Sequence, residues 1–539
     1  KEMQDLYSIE LARRGYVVLA LDLHSHGDSE SLSIAELYDG AVGVDGAVQL
    51  IASLPYVDTA RIGVTGHSSG GTAANMAVEI DNSRETPLIA AVLQQAGDWQ
   101  DDTGGDHSGD YGSRSVGIIA STHDDFYFGT YDDAGNMLTN PVAFMETDGA
   151  KKFLNFNEDG FAGIAEGGKY YTRDFDGKTA YRVIYRPNMI HPLVAFSTTC
   201  VGYAVDFFDT TLGAPKPLPA SDQIWPIKAV FNSLGVIGLL IFMVSFTLVL
   251  LDTPVFSALR SGEIVQPAPV QDSGAKAWYW VLLIIGAVFS GSSFLFCMNT
   301  VYSKTTNFFV QTGPLTIGTW AALCGIFAIF CSAVFYGAYG KKHGWSARRA
   351  GLYLNLEQLW KTIALAVIVI VVSFGLVFAA HYFFQVDYRM YVVAFKTFGA
   401  DKVLIALRYL PFFLLFYVMN SISANCFNYN TIGGKNGNIL IFAFFNALGA
   451  IFVVASQYIY FYATGYQLYG LTEGQRIGPI WLFPCMVLLF VTPIMSRIIY
   501  KRTRNPYIAG LINAMFIVMI SCSNTTTILG GGELIATTF

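Results

Sequence analysis

The sequence predicts two parts: an α/β domain with a mainly parallel sheet, then an all-α multi-pass membrane domain of about eight helices. Three observations carry this. Over residues 1–212, helical patterns alternate with short apolar runs of the kind found in strands buried on both faces. The charge changes sign near residue 224: residues 1–224 hold 14 Lys/Arg against 32 Asp/Glu, residues 225–539 hold 19 against 8. Beyond that point long apolar stretches recur. They bring the chain to 53% hydrophobic and only 14% charged residues, outside the usual balance of a soluble protein.

Residues 2–14 carry a helical pattern built on Leu6, Ile9 and Leu11, and Gly15 ends it. Tyr16-Val17-Val18-Leu19-Ala20-Leu21 is a strand-type run, followed by a polar loop from Asp22 to Ser29. A helix fits 35–54, a strand 62–65 and a helix 72–80. Apolar runs at 88–94, 116–121 and 181–185 are further strands, and 193–208 is helical. Asp174-Phe175-Asp176-Gly177 predicts a hairpin. Residues 97–114 hold five aspartates without the spacing of an EF-hand, and form a solvated loop. Of seven cysteines only Cys200 precedes the apolar stretches, and none makes a C-x-x-C pair, so all are small apolar packers rather than a disulfide framework.

The chemistry centres on Gly66-His67-Ser68-Ser69-Gly70, with Gly71 behind it. This is G-x-S-x-G where a strand hands over to a helix. A serine forced into such a turn holds its hydroxyl clear of the sheet, and the flanking residues must be tiny for the backbone to pass. A serine hydroxyl is a weak nucleophile at neutral pH and needs a base, itself oriented by an acid, in the chain order Ser, acid, His. After the 116–121 strand stand Asp124 and Asp125, both candidates for the acid. His191 is the single histidine between Asp125 and the first apolar stretch, and so the candidate base. The Ser69 N–H is the candidate for one of the two oxyanion donors. His67 is expected to point away from the base. His24, His26, His107 and His123 are expected to be structural or to line the pocket.

With these residues in place, the first 212 residues resemble an α/β-hydrolase, close to the dienelactone-hydrolase and prolyl-oligopeptidase-like branches. The resemblance rests on Gly15-Tyr16 through Asp22, on His26-Gly27-Asp28-Ser29, on Val57-Asp58 ahead of Arg61-Ile62-Gly63-Val64, and on the elbow. His24 and Ser25 replace the family's Arg-Gly, and Ser121 replaces the glycine of its G-x-x-D pattern. It implies Ser68 as nucleophile and His191 as base, and favours Asp124 as the acid, with Asp125 the alternative. It implies no metal or organic cofactor. It also implies that residues 126–180 are a lid-like insertion, and that the opening strands and second oxyanion donor are missing. The expectation is that the sequence is the C-terminal part of a longer protein.

A Pro/Ala-rich linker, 213–225, leads into a polytopic membrane domain, 226–539. Apolar stretches long enough to cross a bilayer lie at about 227–251, 277–299, 314–339, 362–386, 403–423, 438–463, 477–496 and 505–523. Alternate connectors hold 12 Lys/Arg, Arg497 included, against 5 in the others. The richer set belongs in the cytoplasm, which places the hydrolase domain outside the cytoplasmic membrane. Asn420, Asn425, Asn428, Asn430, Asn436 and Asn438 crowd the end of the fifth stretch with no evident role. The expected function is a membrane-embedded serine hydrolase cleaving an ester, thioester or amide acyl bond, lipid-linked substrates included. The lipid bilayer is its other partner, nucleic acid is not one, and oligomeric state stays open. The alternatives are a transporter or lipid-handling protein with a binding-only head, or an acyltransferase or peptidase using the same triad.

Overall fold

Short runs, three of them uncharged, form the sheet of the N-terminal part in the computed structural model, which describes residues 5–101, 105–132, 137–530 and 532–533. Residues 102–104 of the aspartate-rich loop and 133–136 of the insertion lie outside the described residues. The strands are β1 (Ile62–His67), β2 (Ile89–Gln95), β3 (Ser115–Ile119), β4 (Tyr171–Phe175) and β5 (Lys178–Tyr185), in spatial order β1-β2-β3-β5-β4. The first four in that order run parallel, with Val64 beside Val92, Val92 beside Val116 and Ile118 beside Ile184. β4 and β5 are the expected hairpin. Its two-residue turn, Asp176-Gly177, has φ of 52° and 83°, the positive values that match the twist of paired strands. Val92, Leu93, Val116, Ile118 and Ile119 are fully buried, which is why these strands are apolar on both faces.

Helices cover both faces. The helices α1 (Asp5–Arg13), α2 (Val44–Ala52), α3 (Ser69–Asn82) and α4 (Thr198–Leu212) surround the sheet. α3 buries Ala73, Ala74, Ala77 and Val78 against β1 and β2 and packs on α2. α4 crosses all four parallel strands and carries α1 on its outer side. Its rings come so close that a Cβ at Gly63 would lie 2.6 Å from Phe208, and one at Gly117 2.8 Å from Phe207.

Two sequence expectations are corrected. The 16–21 run joins no strand among the described residues, and Val17 and Leu19 are 44% and 41% exposed. Apolar composition alone cannot supply the neighbour that a ladder requires. The 35–54 helix is broken into Ile34–Leu37, Asp39–Val42 and α2, because Gly40, Ala41, Val42 and Gly43 all take positive φ. The 126–180 insertion contributes β4 to the sheet. It also contributes Phe128, Phe144, Phe153 and Leu154 to the buried core, where Trp99 stacks on Phe144 and Phe153.

The compact unit built on this sheet runs to Lys228 and also takes in residues 457–477 and the chain from Thr526. Ile528 is fully buried in its core, Thr527 N–H donates to the Ser25 carbonyl (3.0 Å) and Leu529 N–H to that of Leu32 (2.9 Å).

The second compact unit comprises Ala229–Ser456 and Gly478–Thr525. Among the described residues, eight helices are long and apolar enough to cross a membrane: α5 (Trp225–Leu251), α6 (Ser273–Thr300), α7 (Thr312–Phe335), α8 (Leu356–Phe384), α9 (Ala400–Ile422), α10 (Gly434–Thr464), α11 (Glu473–Thr503) and α12 (Pro506–Ser523). α12 packs on α8 and α9, and α7 on α6 and α9. α6 and α10 meet at Gly291 and Gly449, where a Cβ on Gly449 would sit 2.6 Å from the Ala287 carbonyl oxygen.

The asparagine cluster has a structural explanation here. Arg497, counted in the sequence as a connector charge, lies inside α11 and is buried. Its Nε donates to Asn425 Oδ1 (2.8 Å), Nη1 to Asn438 Oδ1 (3.0 Å) and Nη2 to the Ala424 carbonyl (2.5 Å), while the Tyr429 ring lies 3.9 Å away. Asn425 Nδ2 donates in turn to Ser496 Oγ, and Asn420 Nδ2 to Asn446 Oδ1, so α9, α10 and α11 share one polar seam.

Candidate active site

Ser68 sits at the carboxyl end of β1 with φ 56° and ψ −124°, a conformation that costs a non-glycine residue about 1–3 kcal/mol. The turn is held by the Ser68 N–H on the Gln95 carbonyl (2.9 Å) and by the Gly71 N–H on the Ser68 carbonyl (2.7 Å). The two glycines of the motif pass in contact: a Cβ on Gly66 would lie 2.2 Å from the Gly70 backbone. One on Gly71 would meet Gln94 Oε1 at 2.2 Å. Ser69 opens α3, so its N–H belongs to the first turn, at the positive end of the helix dipole.

Asp124 lies just beyond β3 and His191 beyond β5, so the parallel register brings both to the same edge of the sheet. The ladder continues past the strands through Thr122 N–H on the Pro187 carbonyl and His123 N–H on that of Met189. His191 Nδ1 meets Asp124 Oδ1 at 2.9 Å and Oδ2 at 3.0 Å. Asp124 is fully buried, and it also accepts the N–H groups of Phe126 and Tyr127 (both 3.0 Å) and the Ser121 hydroxyl (2.9 Å). Burial opposes its ionisation, but the His191 charge and these hydrogen bonds outweigh it and hold the carboxyl below the ordinary range. The arrangement leaves His191 Nε2 as the nitrogen that can exchange a proton. Among the described residues no hydrogen bond joins the Ser68 hydroxyl to the imidazole; in unliganded sites such bonds are often long and tighten when substrate binds.

Among the described residues, no hydrogen bond joins Asp125 to the imidazole ring, which bonds Asp124. The buried Asp125 carboxyl faces the His191 backbone N–H and the Tyr458 hydroxyl. Burial, then the Asp124 charge, push its pKa well above the ordinary carboxylate value.

His67 turns toward His191, the candidate base, and not away from it as expected. The rings of His67 and His191 lie 4.7 Å apart, and His67 Nε2 bonds the His191 carbonyl (3.1 Å). Burial, then the neighbouring His191 charge, lower its pKa to about 3, so it is a neutral donor at working pH. Phe126 and Tyr127 complete the surround, with ring centroids 5.0 and 5.9 Å from that of His191. Neither role was legible in the sequence, although the Ser121–Asp124 bond has a signal in the G-x-x-D substitution. No family model, curated protein or solved structure is significantly similar to the chain. The geometry of the site is therefore the ground for any functional reading.

Behind the elbow, Gln94 Nε2 and the Tyr111 hydroxyl both donate to Asn75 Oδ1, and Asn75 Nδ2 holds the Asp98 carbonyl. Burial, then the charges of Asp124 and Asp106, raise the Asp98 carboxyl to about 6. The folded state therefore binds this proton more tightly than the unfolded chain. The stability it contributes is complete below pH 4 and lost as pH rises through 6. Asp98→Asn should then stabilise the protein at pH 8 by up to about 3 kcal/mol and leave it unchanged at pH 4. Thermal unfolding at the two pH values measures this, and equal shifts at both would contradict it.

Proposed function

We propose that this protein is a membrane-embedded serine hydrolase with an α/β-hydrolase head, acting on an ester, thioester or amide acyl bond. The observation that carries the reading is the buried Asp124–His191 pair at the same sheet edge as a serine held in a strained strand-to-helix turn. Ser68 Oγ attacks the acyl carbonyl while His191 Nε2 takes its proton. Asp124 fixes the tautomer and stabilises the imidazolium, and the Ser69 N–H stabilises the oxyanion. His191 then protonates the leaving group, and water, activated by the same imidazole, releases the acyl group from Ser68. The Lys/Arg bias of the connectors supports a head outside the cytoplasm.

The test is covalent labelling. A serine-directed fluorophosphonate should label the protein in membranes, and Ser68→Ala should abolish it. Undiminished labelling of the Ala variant, or none of the folded wild type, removes Ser68 from the nucleophile's place.

A further inference from the structure

We infer that the connector between α10 and α11, with the last turns of α10, positions the catalytic acid from outside the α/β sheet. This rests on the hydrolase reading above. Asp124 stands on a three-residue stretch, His123-Asp124-Asp125, and residues 457–477 hold it on both flanks. On one side the His123 ring lies 4.3 Å from that of Tyr462 and 5.3 Å from that of Phe461. On the other, Gln467 Nε2 donates to the Asp125 carbonyl at 2.7 Å, and the Tyr458 hydroxyl faces the Asp125 carboxyl.

The segment is itself fixed. Gly465 caps α10 through its N–H on the Phe461 carbonyl (2.8 Å) at φ 75°. A Cβ there would come within 2.7 Å of Asn140, so the chain passes against the 126–180 insertion. The Tyr469 N–H on Gln457 Oε1 (2.8 Å) closes the loop back on the helix. Catalytic groups lose rate when their geometry drifts by half an ångström, so supports of this kind act on rate rather than on binding. Tyr462 and Gln467 are thus positioning residues that act through Asp124.

Tyr462 is 45% exposed and Gln467 partly so, which makes both replaceable without opening the core. With the full-length protein in detergent, Tyr462→Leu and Gln467→Ala should each lower kcat on a short p-nitrophenyl ester, and the rate of fluorophosphonate labelling, about tenfold. KM should change less than twofold, and the acid limb of the pH profile should move to lower pH as Asp124 loosens its hold on the imidazolium. Tyr462→Phe should restore the wild-type rate. In an Asp124→Asn background neither change should slow the enzyme further. A merely structural role would instead lower the labelled fraction in every background and leave the acid limb in place, and that result, or wild-type rates in both variants, overturns the inference. A wild type that does not label at Ser68 overturns the hydrolase reading instead. The far-downfield proton signal of the Asp124–His191 hydrogen bond then decides the positioning role: it should weaken in Tyr462→Leu, and an unchanged signal counts against it.

Discussion

Asp124→Asn should lower kcat about 10⁴-fold, whereas Asp125→Asn should stay within about threefold. The loss corresponds to about 5.5 kcal/mol of transition-state stabilisation. Its source is the set of donors around the carboxylate. One oxygen accepts the Phe126 and Tyr127 N–H groups and the other the Ser121 hydroxyl, so both are acceptor positions before His191 is counted. An asparagine must turn its NH₂ either into those donors or toward His191 Nδ1. The second arrangement forces Nδ1 to accept and moves the ring proton to Nε2, where the base can no longer take the serine proton. Asp125, by contrast, makes no hydrogen bond to the imidazole among the described residues, and an amide of the same shape leaves the Asp124–His191 pair in place. Steady-state rates with an activated ester measure both variants. A larger loss for Asp125→Asn would hand the acid's role to that residue.

What the sequence made legible is local. The elbow shows because its glycines are imposed by contacts within five residues, Gly66 against Gly70. Asp124 and His191 show because loops that follow apolar parallel strands emerge together at the carboxyl end of the sheet. The apolar stretches show because a bilayer demands length and composition together. What stayed hidden depends on long-range contact. The bond between Gln467 and Asp125 joins residues 342 apart, and the aromatic residues near it match any interfacial belt at a helix end. The turn of His67 toward His191 joins residues 124 apart and follows from no local pattern. The 16–21 run misled because buried-strand composition is the same with or without a partner strand.

Arg497→Leu should destabilise the membrane part by several kcal/mol, enough to remove much of a typical folding free energy. Among the described residues no carboxylate pairs with this arginine; its charge is held by two asparagine oxygens, one carbonyl and the Tyr429 ring. The single change therefore strands three buried acceptors, each at about 1–3 kcal/mol, and removes a desolvated cation–π contact. Neutral hydrogen bonds between spans average only about 0.6 kcal/mol. The expected loss is thus set by the unpaired acceptors and not by the bonds as such. Two further variants separate these terms. Arg497→Lys keeps the charge but cannot reach Asn425, Asn438 and the Ala424 carbonyl with one planar fork, so it should fall between wild type and Leu. Arg497→Leu combined with Asn425→Leu and Asn438→Leu removes two of the stranded acceptors with the guanidinium, but also the Asn425 and Asn438 amide donors, and should recover only part of the loss. Thermal unfolding of the purified protein in detergent orders the four proteins. If Arg497→Leu melts with wild type, the seam joining α9, α10 and α11 contributes nothing to stability, and the asparagines need another explanation.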